Sequence, residues 1–162
     1  MLTAEEEKLQ LENSSPKAKK AMELFQEGYN CAQAVLGAFA QDMNMDFQQA
    51  MMLSSSFGGG MGRMREVCGA VSAMFMVAGL EKGYSDPKAS TEKAGHYDYI
   101  QQLAAKFKEE NGSIICRDLL GLTKPGPDTP VPEPRTEAYY KKRPCQLLVG
   151  QCAAILEQEL NQ

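Results

Sequence analysis

Apolar residues recur at intervals of three and four along most of the chain, the spacing that places them on one face of an α-helix. The clearest stripe follows Pro144 and consists of Cys145, Leu148, Val149, Cys152, Ile155 and Leu156. No stretch alternates at period two, and no internal repeat is evident. The pattern therefore predicts an all-α fold, a single-domain bundle of about six to seven helices.

Capping residues mark where several of these helices begin. Ser15, Asn30 and Asp46 each precede an apolar face, and side chains of this type accept hydrogen bonds from N–H groups of the first helical turn. The remaining helices are predicted near residues 66–80, 86–111, 114–120 and after Pro144.

Other segments are predicted to lie outside the helices. Residues 1–14 are polar and acidic, and we expect a flexible lead-in to a helical domain that covers residues 15–162. Five prolines between residues 123 and 134 predict an extended loop that crosses the domain. The glycine-rich segment at residues 57–63 also disfavours a helix, because glycine loses much conformational freedom there.

Charge and hydropathy exclude several functional classes. The formal net charge is −4 and the isoelectric point is about 5.1, whereas nucleic-acid binding requires a basic surface. The longest apolar run, Val67–Leu80, is shorter than the roughly 20 residues that cross a bilayer, so no membrane insertion is expected. The acidic start does not resemble a secretory signal. We therefore expect a cytoplasmic protein, whose cysteines serve catalysis or metal binding more often than structural disulfides.

Four of the five cysteines lie in the first turns of predicted helices: Cys31, Cys68, Cys116 and Cys145. Backbone N–H groups and the positive end of the helix dipole stabilise a thiolate there. The thiolate is the form that attacks disulfides and binds metals. Arg63, Arg65 and Arg143 lie close before two of these cysteines and add positive charge. One such cysteine is more often a small buried hydrophobic residue, but four equivalent positions favour a function.

The fifth cysteine, Cys152, lies in mid-helix on the apolar stripe and is predicted to be a buried core residue. An auxiliary thiol is the alternative. No CxxC spacing is present, so thioredoxin-like and zinc-ribbon patterns are absent. No CxxCH is present either, and a covalent haem is not expected.

Two further candidate sites have ordinary structural explanations. The segment before the Cys68 helix is a candidate backbone cradle for an anion or cofactor, formed by Gly58, Gly59, Gly60, Gly62 and Arg63. This segment is neither GxGxxG nor Walker A, and we favour a tight turn that allows a close backbone approach. The single histidine, His96, has no HxxxH partner and is predicted to pack or lie at the surface rather than bind a metal.

Four segments, in this order, resemble a redox-active protein family named for its C–GCAxxG–C–C cysteine pattern: GYNCAQAVL, FGGGMGRMREVCGAVSA, NGSIICRDLLG and RPCQLLVGQCAAIL. The resemblance maps the pattern onto Cys31, Cys68-Gly69-Ala70, Cys116 and Cys145. Ala73 replaces the glycine that would end the CGAxxG element, and Cys152 is an extra cysteine. The resemblance implies an all-helical domain with redox chemistry. A similar domain occurs in split-Soret cytochromes, where an iron–sulfur or non-haem iron site has been suggested.

Two hypotheses from different classes follow. In the first, the chain is an oxidoreductase or electron-transfer protein whose four helix-start cysteines converge, either for thiol–disulfide exchange or to bind an iron–sulfur cluster or another metal. In the second, it is a non-catalytic binding module with a structural Cys₄ metal site or a groove for a small molecule or partner. Four cysteines suit both zinc and iron–sulfur clusters, so ligand type does not decide. The redox partner, the disulfide pairing and a homo-oligomeric state stay open.

Overall fold

The computed structural model describes all residues from 1 to 162 and is built from α-helices, with no β-strand. Nine regular helices are present: α1 (Ala4–Ser14), α2 (Pro16–Gln26), α3 (Cys31–Ala40), α4 (Phe47–Ser54), α5 (Gly69–Lys82), α6 (Ser90–Asn111), α7 (Cys116–Leu119), α8 (Glu137–Lys142) and α9 (Cys145–Leu160). A 3₁₀ turn at Ser55–Phe57 and an irregular glycine turn at Gly58–Met61 follow α4. The all-α prediction is confirmed, and the number of helices exceeds the six to seven predicted.

The predicted capping residues begin the helices as the sequence indicated. The side chain of Ser15 accepts a hydrogen bond from the N–H of Ala18 at 3.0 Å, and that of Asp46 accepts from Gln49 at 3.0 Å. Asn30 accepts from the N–H of Gln33, whose side chain accepts in turn from the N–H of Asn30. This reciprocal capping box fixes the first turn of α3, which opens with a cysteine.

Two helices were not predicted, α1 and α8, and they account for the larger number. Residues 1–14 are predicted to be a flexible lead-in with no helix assigned, and α1, capped by Thr3, occupies most of them. Neither helix buries a single residue, so neither carries the apolar periodicity from which helices are recognised. Helix α8 is capped by Thr136 and leads directly into the loop before α9.

Helix α5 begins at Gly69 instead of near residue 66, because the preceding residues pair with the segment before α7. The N–H of Cys68 donates to the carbonyl of Ile114 at 2.8 Å, and the N–H of Cys116 donates to the carbonyl of Glu66 at 2.6 Å. Helix α7 is shortened at its start for the same reason. This pairing fixes the starts of α5 and α7 side by side, each with its cysteine.

The core lies among helices α2, α3, α5 and α9, which contribute most of a cluster of 28 buried residues. Helix α9 packs mainly on α2, and α3 packs on both α2 and α5. The long helix α6 is attached through the fully buried Leu103 and Phe107. Three of the four central helices therefore begin at, or directly after, a cysteine. No helix combines the length and the apolar character needed to cross a membrane.

Candidate functional site

Four cysteines line one cavity of about 200 Å³: Cys31, Cys68, Cys116 and Cys145. Three of them are the first residues of α3, α7 and α9, and Cys68 directly precedes α5. The four helix starts that the sequence singled out therefore surround the same space. All of these cysteines are free thiols in the structure.

The sulfur of Cys31 packs against the backbone next to Cys68. A Cβ atom placed on Gly69 would lie 2.6 Å from Sγ of Cys31 and 2.6 Å from the carbonyl oxygen of Phe57. Real Cβ atoms essentially never approach other atoms this closely, so only glycine fits here. The glycine after Cys68 is therefore what lets the start of α3 approach the start of α5.

The glycine-rich turn makes a similar approach to Cys116. Gly60 has a φ of 68°, and a Cβ on it would lie 2.7 Å from the Cβ of Cys116. Gly58, Gly59 and Arg63 line the cavity, and Gly62 turns the chain with a φ of 60°. The tight-turn interpretation of this segment thus has direct structural support. Anion or cofactor binding by the same residues stays a prediction.

Arg65 is the one charged residue buried in the protein, with 4% of its surface exposed. Its Nη1 donates to Sγ of Cys116 at 3.6 Å, and its Nη2 donates to Oδ2 of Asp128 at 3.1 Å. A buried guanidinium normally needs such partners, because an unpaired buried charge is costly. Arg65 therefore connects a cavity thiol with the proline-rich loop.

Burial controls the acidity of Cys68, Cys116 and Cys145. It raises the pKa of Cys68 and Cys116, and it raises the pKa of Cys145 to about 12. A charge on Cys31 adds to each increase, whereas Arg65 lowers the pKa of Cys116 and Arg143 lowers that of Cys145 without overcoming burial. The expectation that helix starts hold these three as thiolates is therefore wrong for the reduced cavity, because desolvation penalises the charged form more strongly.

The proline-rich loop forms one wall of the cavity. Residues 123–134 contain no helix, as their prolines predicted, and Pro132 and Glu133 line the space. Asp128 receives hydrogen bonds from Arg65, and Glu133 pairs with Arg143. Sequence reasoning did not single out either acidic residue, because nothing local shows which arginines they meet.

Arg135 and Tyr139 also line the cavity and were missed. Arg135 donates to the carbonyl oxygens of Phe25 and Tyr29 at 2.9 and 3.0 Å, and its guanidinium lies 4.2 Å from the centre of the Phe25 ring. Both residues belong to the segment around α8, a helix without apolar periodicity. Nothing in the sequence around Arg135 and Tyr139 indicates that these two residues reach the cavity.

The family described as "Putative redox-active protein (C_GCAxxG_C_C)" matches residues 29–159. The chain belongs to this family. Comparison with curated proteins and with solved structures gives no significant match. The four cysteines to which the sequence assigned the C_GCAxxG_C_C pattern are the four that line the cavity.

Within the C_GCAxxG_C_C pattern, the central element forms the start of α5. Gly69 is the position where no side chain fits, as described above. Ala73, which replaces the final glycine of the pattern, is fully buried, as is Ala70. The substitution keeps a small residue at a packed position, so close helix packing is maintained.

Cys152 and His96 lie apart from this cavity. Cys152 is fully buried in the core on α9 and is absent from the cavity lining, so its predicted core position is confirmed. His96 lies on α6, where its ring is 6.2 Å from the Tyr84 ring, and its buried Nδ1 has no hydrogen-bond partner. The position of His96 agrees with a packing role.

No group of three or more cysteine, histidine, aspartate or glutamate side chains has the arrangement of a metal site. The four cysteines share a cavity, but structural zinc and cubic iron–sulfur sites require thiolates gathered around one centre. Metal binding by the four cysteines therefore stays a prediction, and we assign no role to a metal here.

Proposed function

We propose that this chain is a thiol-based redox protein whose cavity cysteines change between thiol and disulfide forms. The observation that carries the proposal is the convergence of four cysteines from four separate helix starts on one cavity. Forming a disulfide removes two electrons and two protons from a pair of thiols. The partner molecule, itself a disulfide, accepts them and is released as two thiols.

Cys31 is the thiol best placed to pair with the others. Its side chain is partly exposed, as is that of Cys145, whereas Cys68 and Cys116 are only 6% and 8% exposed. Its charge contributes to the raised pKa values of Cys68, Cys116 and Cys145, after burial in each case, so it lies within electrostatic range of all three. We assign Cys31 the role of the thiol that first meets the partner.

Cys68 is the proposed first pairing partner of Cys31. The sulfur of Cys31 already lies against Gly69, the residue that follows Cys68. Disulfide formation needs Cα atoms about 4.4–6.8 Å apart, so this pairing requires the starts of α3 and α5 to bring their two cysteines within that range. Cys116 and Cys145 then serve as a second pair or take over the disulfide by exchange with Cys31.

Arg65 is proposed to assist whenever Cys116 is released from a disulfide. The cleaved sulfur leaves as a thiolate, and a better stabilised thiolate leaves faster. The Nη1 hydrogen-bond donor of Arg65 already points at this sulfur. A charge-assisted hydrogen bond there would stabilise the leaving thiolate without help from solvent.

A structural metal site on the same cysteines is the competing function, and one experiment separates the two. The reduced chain is purified without oxygen, its metal content is measured, and free thiols are counted as the solution potential is raised. The proposal expects free thiols to disappear reversibly in pairs in wild type and in Cys152→Ala. In Cys31→Ala the first of these paired oxidations should be absent. Stoichiometric metal with thiols that resist oxidation would contradict it.

A further inference from the structure

The cysteine cavity is positively charged in a chain that is acidic overall. Four arginines line it, Arg63, Arg65, Arg135 and Arg143, against a single acidic residue, Glu133. The chain as a whole has a formal net charge of −4. Because low-dielectric walls focus the field of charges inside a cleft, this cavity attracts anions although the chain as a whole is acidic.

The acidic partners of these arginines do not neutralise them. Arg63 and Arg65 share one carboxylate, Asp128, and Arg143 pairs with the exposed Glu133. Arg135 has no carboxylate partner, since its donors reach only carbonyl oxygens and the hydroxyl of Tyr140. A guanidinium satisfied only by neutral acceptors keeps its full charge available to a ligand.

The cavity is small and partly apolar. Its volume is about 200 Å³. Phe25, Tyr139 and Leu148 form part of its wall beside the cysteines. A short aliphatic disulfide with charged ends matches this mixture of apolar wall and arginines better than the surface of a folded protein does.

We propose that the redox partner of this site is a small disulfide that carries carboxylate groups, held by Arg135; this rests on the thiol–disulfide function proposed above. A cavity thiolate attacks one sulfur of the bound disulfide and forms a mixed disulfide, and the first small thiol leaves. A second cavity thiol then attacks the protein sulfur of that mixed bond and releases the other small thiol. The protein loses two electrons and two protons, and the small molecule gains both.

The test uses three disulfides of equal arm length and different charge. They are 3,3′-dithiodipropionate with two carboxylates, 2-hydroxyethyl disulfide with none, and cystamine with two ammonium groups. The rate at which each oxidises the reduced full-length chain is divided by its rate with the urea-unfolded chain, which removes differences in intrinsic reactivity. We expect this normalised rate to be at least about tenfold higher for 3,3′-dithiodipropionate than for cystamine. Added salt should reduce the difference between the two.

Charge variants locate the effect. Arg135→Gln should lower the ratio of dianion to neutral rates about tenfold, and Arg135→Lys should restore part of it. Lys108→Gln is the matched control, because it removes one positive charge from an exposed residue outside the cavity lining. Equal folded-to-unfolded rate ratios for all three disulfides would overturn the inference and leave the redox function standing. Equal effects of Arg135→Gln and Lys108→Gln on the ratio of dianion to neutral rates would do the same. Failure of every disulfide to oxidise the cavity thiols would overturn the redox function itself.

Discussion

The guanidinium of Arg65 lies 3.6 Å from Sγ of Cys116, inside the protein and shielded from solvent. The same group holds Asp128 of the proline-rich loop at 3.1 Å. One arginine, just after the glycine-rich segment, thus joins the Cys116 thiol to the proline-rich loop. Its charge is the principal feature of the cavity that favours a thiolate at Cys116, in opposition to the burial that disfavours it.

Replacement of Arg65 by glutamine should make Cys116 less reactive. Burial raises the pKa of Cys116 and Arg65 lowers it, so without the arginine the pKa rises further and less thiolate is present. We expect alkylation of Cys116 by iodoacetamide to slow about tenfold, the effect of losing one charge-assisted hydrogen bond. Peptide mass spectrometry measures the rate at this one cysteine.

Asp128→Asn is the matched control, because it removes the other partner of Arg65 and leaves the arginine in place. Loss of a negative charge near the site should leave the alkylation rate of Cys116 unchanged or raise it. The same decrease in both variants would show that disturbance of the loop, and not the charge of Arg65, governs the reactivity of this thiol.

Gly69→Ala should destabilise the protein by about 1–3 kcal/mol, the usual cost of overpacking. The added methyl group would lie 2.6 Å from Sγ of Cys31 and from a backbone oxygen, so the starts of α3 and α5 must separate. Gly95→Ala is the comparison, since nothing lies within 4 Å of its Cβ position in α6 and the helix should gain about 1 kcal/mol. Urea unfolding of both variants measures the difference, and a neutral Gly69→Ala would argue against the close contact.

Cys152→Ala should reduce stability modestly and leave the redox behaviour of the cavity intact. The residue is fully buried in the core, and the volume removed is small, so a cost on the order of 1 kcal/mol is expected. Thiol counts against solution potential, in this variant and in Cys68→Ala, provide the readout. An equal loss of redox function in the two variants would place Cys152 in the reaction.

Stability should fall as the pH rises above about 9, and part of the fall should depend on Cys145. Burial raises the pKa of this thiol from 9.0 to about 12, so between these values the unfolded chain loses a proton that the folded chain retains. The unfolded state is favoured as a result, and the free energy of unfolding decreases with pH. Urea unfolding below and above pH 9 should show a smaller decrease in the free energy of unfolding for Cys145→Ala than for wild type. Identical decreases would indicate that this thiol is not desolvated.

Sequence alone was sufficient to place the starts of two of the four helices that carry the cavity cysteines, α3 and α9. Local side-chain hydrogen bonds decide where α2, α3 and α4 begin. The residues that accept those bonds, Ser15, Asn30 and Asp46, are recognisable in the sequence. The cysteine at the start of α3 could therefore be placed correctly, and Pro144 indicated the start of α9 with its cysteine. Apolar periodicity located the core face of α9 in the same way, including the buried Cys152.

Features that depend on distant residues could not be predicted. Helix α5 begins late because Cys68 pairs with Ile114, a partner 46 positions away. Arg135 reaches the cavity only because the loop returns across Phe25. The acidity of the cysteines was misjudged for a similar reason, since helix position is a local property whereas desolvation depends on everything packed around the sulfur.

The most direct test of the account maps disulfides in the full-length chain after limited oxidation. The fully reduced protein receives one equivalent of a small disulfide, free thiols are blocked, and linked peptides are identified by mass spectrometry. We predict an intramolecular disulfide from Cys31 to Cys68, or to Cys116 or Cys145 after exchange, with Cys152 unmodified. Recovery of Cys31 and its three neighbours as free thiols, or only in disulfides between separate chains, would contradict a shared redox site.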